Sequence, residues 1–565
     1  MKQSQLFTKT RKEAPKGEEA KNAQLLIRAG YVHKVAAGVY TLLPLGVRVL
    51  DNIATIIRDE MNAIGGQETQ STVLQAKEPW EASGRWDDQV VDNWFKTSLK
   101  GGGELSLAFT HEEPMTVMMK NFIASYKDLP AYPYDVRTVF RNEARAKSGL
   151  MRGREFYWKA LYSFSKDEDQ HAEFYDKISD AYQRVFERVG LGDITFKTFA
   201  SGGTFSKYSH EFQTLCDAGE DIIFITKDRI YNREIAPSAI PEDNKREEPK
   251  KREDKKRLGI IGVDDLVNEL GVPVEKTTKT LIYNADGEIV VAAVRGDYQI
   301  NELKLQALLS CKNLSLATEK QVQDLTGSEI GYAGIINIPK GTSVFIDDSI
   351  KGLCNFETGT NKTGYHSLNV NFGIDLDHPE KFHDIKLAKE GDKDPESGEI
   401  YKISKAVEVG NIFTLGEKFS EPLELTFTDE EGKPQNVFMG SYGIGISRLL
   451  GVIAEVLSDD RGLVWPEEIA PFTVHLLTFG KNENIFREAE SLYHDLKNAG
   501  IDVLFDDRDV SPGLKLGDAD LIGIPYRVVV SEKAAEKGGV EITKRATGEV
   551  EFVDPSRLVA HLTEG

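Results

Sequence analysis

Between Val139 and Phe156 the chain reads VFRNEARAKSGLMRGREF, which sets Arg141, Arg145, Lys147, Arg152 and Arg154 against only Glu143 and Glu155. The protein as a whole carries a formal charge of −21. A guanidinium is a planar fork of donors that matches phosphate and carboxylate and keeps its charge. Arg141 follows a strand-like VF and is better placed to fix a geometry than Arg145 or Lys147 further out. Gly149 and Gly153 let the backbone turn back, and Phe156 offers a flat apolar face to a ring. The arrangement suits a triphosphate beside a purine; a solvated basic hairpin tip is the alternative. A second cluster shifts the balance. In NVFMGSYGIGISRLLGVIAEVL, Gly440, Gly443 and Gly445 are expected to bare one strand face, and Arg448 opens the helix behind it. Bare backbone beside an arginine is what the close approach of a ligand requires.

These residues need elements to hold them. VRTVFRNEA and FYWKALYSF are rich in β-branched and aromatic residues and predict the two arms of a hairpin, with the arginine stretch as its loop. Leu50, Ile53, Ile57, Met61 and Ile64 recur at three- and four-residue steps and predict a helix stopped by Gly65-Gly66. QETQSTVL predicts a strand after it, and a strand over Leu105–Phe109 would deliver Thr110 and Glu112 just past its end. Phe174, Ile178, Tyr182 and Phe186 mark one face of a further helix. The charged run EDNKREEPKKREDKKR (242–257), without an apolar residue, reads as a solvated helix or linker. Beyond it strands and helices alternate, with a hairpin expected around Ala285-Asp286-Gly287. After residue 465 the order is β-α-β-α-β, a small α/β domain.

With 565 residues the chain calls for several cores, and 40% hydrophobic with 28% charged residues is the composition of a soluble globular protein. The N-terminal segment has no apolar h-region and no apolar run approaches a membrane span, so neither a signal peptide nor a membrane is expected. Cys216, Cys311 and Cys354 form no C-x-x-C pair, which argues against a zinc site of usual spacing or a disulfide framework and favours a reducing cytoplasm. There is no G-x-x-x-x-G-K-[ST] loop, GIGISR is not a dinucleotide fingerprint, and HEEPM lacks the second histidine of a zinc protease.

Taken in order, the motifs resemble those of the class II aminoacyl-tRNA synthetases, and within them the bacterial-type prolyl-tRNA synthetases. FRNE (140–143) and GREF (153–156) resemble motif 2, GSYGIGISRLL (440–450) motif 3, and 45–75 motif 1, which in the family builds a homodimer interface. FTHEE (109–113) resembles the loop that reads the amino group of proline, and EVGNIFTLG (408–416) the segment beside ATP. The resemblance implies an α+β catalytic core, an antiparallel sheet flanked by helices, in two parts (1–224 and 406–465). It implies an inserted α/β editing domain (225–405) and a C-terminal α/β anticodon-binding domain (466–565). It further implies ATP with Mg2+, L-proline and tRNA(Pro) as ligands.

By the same resemblance Arg141 holds the α-phosphate and the substrate carboxylate, Glu143 the adenine amino group, and Arg152 and Arg448 the γ-phosphate. Phe156 and Arg448 sandwich the adenine, with Thr414 and Gly445 beside ATP, and Glu408 is the protein ligand of magnesium. Thr110 and Glu112 bind the proline ammonium in a pocket completed by Trp158, Asn411, Ser441 and Gly443. Arg145 meets the tRNA acceptor end. Lys279, Gly331, Asp347 and His366 are the editing candidates, and Arg508 and Lys515 are placed near the anticodon by loop position. The chain departs from the family at Thr72, where motif 1 has proline, and at Ser441 and Asn411, where many bacterial relatives have Cys and His. A non-catalytic synthetase-like tRNA-binding or regulatory protein, or a synthetase for threonine, serine, glycine or histidine, are the alternatives; the retained Arg141, Arg152 and Arg448 and the order of parts argue against them.

Overall fold

The computed structural model describes residues 1–201, 208–244, 247–311, 313–480 and 482–564. The chain divides into two compact units. One comprises Met1–Lys197, Glu211–Glu220 and Ala406–Gly565; the other comprises Thr198–His210 and Asp221–Lys405. The second unit thus takes in Thr198–His210, which the sequence reading left with the first.

The first unit is built on α1 (Lys21–Arg28), α2 (Pro44–Ala63), β1 (Gln67–Thr69), α3 (Glu112–Met119), β2 (Pro133–Phe140), β3 (Glu155–Ser165), α4 (Glu168–Arg188), β4 (Lys402–Gly416), β5 (Phe438–Gly445) and α5 (Ile446–Val456). Pro44 begins α2, where its missing N–H falls on a donor the helix cannot use. Gly65, at φ +93°, ends it, with the Gly66 N–H donating to the Met61 carbonyl at 2.9 Å. Asp167 caps α4 by accepting from the Gln170 N–H at 2.8 Å. The expected strand over 67–74 breaks in two, because its second part, Leu74–Ala76, leaves β1 to pair with Glu104–Leu107.

Within this unit the central strands run β4–β5–β3–β2–β1, antiparallel except for the parallel β2–β1 pair. Ile53, Ile57, Ile178, Phe186, Ile444 and Leu449 form the core between the sheet and α2, α4 and α5. Side chains on the sheet's other face are set by register: Arg137 lies opposite Trp158, Val139 opposite Phe156, and Gly443 opposite both Asn411 and Ala160.

The C-terminal part contains β6 (Val474–Thr478), α6 (Glu483–Asn498), β7 (Val503–Asp506), α7 (Pro512–Ile522), β8 (Tyr526–Val530), β9 (Val540–Lys544) and β10 (Val550–Val553). Its sheet has the order β7–β6–β8–β9–β10, and the expected β-α-β-α-β is continued by two antiparallel strands. The chain start is anchored here: the Met1 ammonium donates to the Val503 carbonyl at 2.7 Å, and the Tyr31 hydroxyl to the Ile522 carbonyl at 2.8 Å.

The second unit holds a four-stranded sheet in the order Leu314–Leu316, Thr278–Ala285, Glu288–Arg295, Ser343–Ile346, with the expected hairpin turn at Asp286-Gly287. A three-stranded sheet pairs Glu253–Lys256 with Tyr365–Val370 and the latter with Phe356–Gly359. Part of the charged run is therefore strand, where the sequence reading had a solvated helix or linker; Lys245 and Arg246 of that run lie outside the described residues.

Candidate active site

β2 and β3 deliver the arginine loop as the pattern predicted. Its backbone closes at the base, where the Arg141 N–H donates to the Arg154 carbonyl at 2.9 Å. Arg154 is a brace: its Nε donates to the Glu143 carbonyl at 2.9 Å and its Nη1 to the Ala37 carbonyl at 3.0 Å. Asn22 of α1 accepts from the Leu150 N–H at 3.0 Å. Gly149 lies against it at φ +63°, and a Cβ there would fall 2.2 Å from Asn22 Oδ1, so no other residue fits.

Arg141 points its guanidinium across three rings, at 5.1 Å from the centre of Phe109, 5.4 Å from Phe156 and 5.7 Å from Trp158. Its Nε is buried, and no acceptor reaches it among the described residues. Burial, and then the positive charge of Arg448, weaken its hold on its proton. A cation with a buried donor left unpaired, next to another cation, is a receptor for an anion. Arg448, on the first turn of α5, is held along one edge: Nε donates to the Met151 carbonyl at 2.9 Å and Nη1 to the Glu408 carbonyl at 2.8 Å. Glu408 Oε2 lies 3.3 Å from the same Nη1, and Oε1 accepts from Asn411 Nδ2 at 2.7 Å.

Glu143 and Arg152, read as ligands of different parts of ATP, are paired with one another. Arg152 Nε and Nη2 donate to Glu143 Oε2 at 3.1 and 2.9 Å, and Nη1 to Glu220 Oε2 at 2.6 Å. Exposed pairs of this kind are worth about 0–1 kcal/mol, so a nucleotide could displace them at little cost. Arg145 and Lys147 are exposed towards the tip.

The second cluster of candidates converges on Glu112, at the start of α3 and 2% exposed. Its Oε2 accepts from Thr110 Oγ1 at 2.7 Å, and its Oε1 from the Tyr162 hydroxyl at 3.1 Å and Ser441 Oγ at 3.2 Å. Gly443 is closely covered: a Cβ there would lie 2.9 Å from Asn411 Oδ1 and 3.0 Å from the Trp158 ring. Thr110 and Ser441 therefore converge on the Glu112 carboxylate, while Asn411 and the Trp158 ring close around Gly443, two residues along the same strand from Ser441. This suits a compact cationic ligand with an apolar body.

Register corrects two expectations. Gly440 does not share a face with Gly443 and Gly445. A Cβ there would lie 2.4 Å from the Tyr442 hydroxyl and 2.6 Å from His171 Cε1, on the helix side of the sheet. Thr414, paired with Gly440, follows it: its hydroxyl is 3.0 Å from His171 Nε2, behind the sheet rather than beside Arg448. Period-two alternation turns both side chains away.

Several contributors carry no sequence signal. Arg85 is buried, with its Nη1 3.4 Å from Glu112 and 3.1 Å from Glu113. Burial pushes the Glu113 carboxyl up to about 7, although Arg85 opposes it. His111 stands behind Trp158 with neither ring nitrogen hydrogen-bonded among the described residues and Asp135 Oδ2 3.8 Å from Nε2, and burial lowers it to about 4. Lys159 is buried beneath the sheet, with Nζ donating to the Tyr182 hydroxyl and, at 3.0 Å, the Tyr442 carbonyl.

The editing candidates lie in the second unit. Ile261 covers Gly331, and His366 is buried beside Glu357 and Ile260. Lys279 Nζ donates to the Tyr298 carbonyl at 3.1 Å, one residue from Thr278, whose hydroxyl donates to the Glu357 carbonyl at 3.0 Å. Asp347 stands apart from them. It is fully buried and accepts from the N–H groups of Ser349, Ile385 and Lys386 at 2.8, 2.7 and 2.8 Å, a structural anchor rather than a reactive group. With Asp348 and Asp384 it forms the only set of three potential metal ligands among the described residues, and Lys386 already fills it. Arg508 and Lys515 also turn inward. Arg508 pairs with Asp506 and Asp518 at 2.7 and 2.8 Å, and Lys515, 3% exposed, donates to the Asp506 carbonyl at 2.9 Å. Neither is free for a nucleic acid.

Residues 95–457 match the tRNA synthetase class II core domain (G, H, P, S and T), and residues 473–565 match an anticodon binding domain. The proline–tRNA ligase of Listeria monocytogenes serotype 4b (strain F2365) is 39% identical over 562 residues, covering 99% of this chain and 98% of the relative. That of Aquifex aeolicus (strain VF5) is 39% identical over 568 residues, covering 100% and 99%. That of Geobacillus kaustophilus (strain HTA426) is 38% identical over 564 residues, covering 99% and 98%. Among solved structures, the prolyl-tRNA synthetase of Cryptosporidium parvum complexed with halofuginone and AMPPNP aligns with a TM-score of 0.58 at 14% identity, covering 96% of this chain and 76% of that one, a likeness of fold. An end-to-end match at this identity, over a core that carries both arginine motifs, shows that the chain belongs to the bacterial-type proline–tRNA ligases of the class II aminoacyl-tRNA synthetases.

Proposed function

We propose that the chain ligates L-proline to tRNA(Pro) in two steps: ATP and proline give prolyl-adenylate and pyrophosphate, and the 3′-terminal ribose then takes the prolyl group. One observation carries the reading: an unpaired Arg141, its Nε buried, beside the buried carboxylate of Glu112, in a chain similar to proline–tRNA ligases along its whole length. The proline carboxylate attacks the α-phosphorus in line and needs no general base, so positioning and charge neutralisation carry the rate. Arg141 holds the carboxylate and the α-phosphate together. Glu112, oriented by Thr110 and Ser441, takes the ring ammonium, while Trp158 and the bare Gly443 shape the apolar wall. Glu143 and Arg152 part to take the adenine amino group and the γ-phosphate, Arg448 shares the latter and stacks with Phe156 on the base, and Gly445 lets the phosphates approach.

Magnesium binds by preference to one or two carboxylates plus substrate phosphates. Glu408, the carboxylate beside Arg448, fits that pattern and would hold it. When bound with ATP, the ion would neutralise phosphate charge.

Arg145, exposed on the loop, meets the acceptor end, the C-terminal domain reads the anticodon, and the 45–75 segment forms a homodimer in the cytoplasm. No helix among the described residues is long and apolar enough to cross a membrane. Proline-dependent pyrophosphate exchange across an amino-acid panel tests the reading; activity with threonine and none with proline would overturn it.

The second unit would hydrolyse mischarged Ala-tRNA(Pro). Alanine is smaller than proline, and each missing methylene is worth only about 1–3 kcal/mol of discrimination, so a pocket shaped for proline cannot exclude it well. Lys279, Gly331 and His366 are the residues for that site. Replacing 225–405 by a short linker should abolish hydrolysis of Ala-tRNA(Pro), and hydrolysis that survived would remove the assignment.

A further inference from the structure

His366 lies on the strand Tyr365–Val370, 1% exposed, with an oxygen against each ring nitrogen. Glu357 Oε1 is 2.9 Å from Nδ1, and the backbone carbonyl of Ile260 is 3.3 Å from Nε2. A carbonyl oxygen can only accept, so Nε2 carries a proton. Nδ1 then either donates to the Glu357 carboxylate or accepts from its protonated form, and in both cases Nε2–H remains a donor. Glu357 Oε2 is buried with no partner among the described residues, and burial pushes the carboxyl up.

The carbonyl on Nε2 belongs to a removable piece. Residues 257–262 (RLGIIG) form a strap held by few bonds. The Arg257 N–H donates to the Gly364 carbonyl at 2.7 Å, and the Gly259 N–H to the Tyr332 hydroxyl at 2.8 Å. Ile261 lies over Gly331, where a Cβ would come within 2.6 Å of it, and Leu258 lies over Gly364, within 2.7 Å. Leu258 and Ile261 are 70% and 58% exposed, so Ile260, 6% exposed, is the one buried apolar side chain that fastens the strap, and Gly259, at φ +81°, provides a bend. Lifting it would uncover His366, Gly331 and Tyr332 together.

We propose that Glu357 and Ile260 hold His366 as a hydrogen-bond donor through Nε2–H, and that the carbonyl oxygen of an aminoacyl ester takes the place of the Ile260 carbonyl when the strap lifts. This rests on the hydrolytic reading of the second unit. In that hydrolysis the oxygen of water adds to the ester carbonyl carbon, and the bond from that carbon to the ribose oxygen breaks. One proton of the water ends on the ribose hydroxyl and the other leaves with the carboxylic acid. His366 Nε2–H donates to the oxyanion as it forms; a protonated Nε2 cannot be the base that deprotonates water. Glu357 is a positioning residue that acts through the ring.

The test uses the full chain and Ala-tRNA(Pro) in single turnover, with thermal unfolding of each variant as the control for folding. Loss of an oxyanion donor costs about 10²–10³-fold, so His366→Phe should fall by that factor. His366→Gln, whose amide keeps an N–H, should recover about tenfold over Phe. In ¹⁵N-histidine spectra, the resonance lost in His366→Gln should show a proton on Nε2. Glu357→Leu should lower the rate constant and the Nε2–H signal with the half-saturating tRNA concentration unchanged, and Glu357→Gln should restore both. An unprotonated Nε2, or His366→Gln as inactive as His366→Phe, would overturn the proposal. A His366→Phe variant that hydrolyses like the parent would overturn it too, whereas a parent chain that leaves Ala-tRNA(Pro) intact would overturn the hydrolytic reading of the unit instead.

Discussion

Replacing Arg141 by Met should separate function from stability. The native guanidinium has its Nε buried without an acceptor, beside a second cation, and a buried donor left unpaired costs about 1–3 kcal/mol. Its three ring contacts return about 0.5–2 kcal/mol. Methionine keeps an apolar stem against the same rings without the charge. The variant should therefore be as stable as the parent or more so, by about 1 kcal/mol in urea unfolding. Activity should move the other way. A hydrogen bond to a charged group is worth about 1.5–3 kcal/mol. Two such bonds, to the substrate carboxylate and the α-phosphate, give about 3–6 kcal/mol, a fall of about 10²–10⁴-fold in proline-dependent pyrophosphate exchange. Exchange within about tenfold of the parent, or a stability loss above about 2 kcal/mol, would show that Arg141 is a structural cation and refute the reasoning.

Arg145→Ala should leave pyrophosphate exchange near the parent value and lower the rate of prolyl transfer to tRNA(Pro); equal losses in both steps would remove the division of the loop into base and tip. Arg85→Met should cost about 3–5 kcal/mol of stability, because it leaves Glu112 and Glu113 buried without their cation. It should raise the KM for proline while that for ATP stays, as measured by exchange at varied concentrations. Stability should also fall on acidification. Burial holds His111, His171 and His475 at about 4, against 6.5 in the unfolded chain. Between those values the unfolded state binds more protons, so each histidine removes up to about 1.4 kcal/mol per pH unit. Glu113, raised to about 7, acts in the opposite sense: its contribution is full below 4.5 and is lost as the pH rises through 7. Asp348, which burial raises to about 6, adds to Glu113 in this window, so the balance is a loss of about 1–2 kcal/mol per unit between pH 6 and 5, and a urea midpoint that stayed flat from pH 7 to 5 would contradict it.

The hairpin that carries Arg141 was legible because β-branched and aromatic residues mark both arms and the charge is confined to the loop. The helix at 44–63 was legible from its period and its glycine stop. What the sequence hid was register. Gly440 and Gly443 look equivalent in a glycine-rich strand, yet an odd spacing sends them to opposite faces, and Thr414 goes with Gly440. Arg85 and Tyr162 were invisible for another reason. Each acts on Glu112 across long sequence separations, within a buried network that no local pattern encodes. Charge in a loop was likewise ambiguous: Arg141 and Arg508 both stand at strand ends, but Arg508 is tied to Asp506 and Asp518 whereas Arg141 has no such carboxylate.

That contrast explains why the site is built from a strained electrostatic arrangement rather than a satisfied one. An arginine already paired with a carboxylate must give up that partner before it can hold a phosphate, and a buried pair is costly to break. Arg152 can afford a partner because its pair with Glu143 and Glu220 is exposed and weak. Arg141 cannot, because its Nε is buried among Phe109, Phe156 and Trp158. An ion pair there would compete with the substrate at full strength. Leaving it unpaired moves the cost of desolvation into folding, so that it is already met when the anion arrives. The surrounding rings limit that cost without offering an acceptor, and this is the physical reason for three aromatic residues around one arginine.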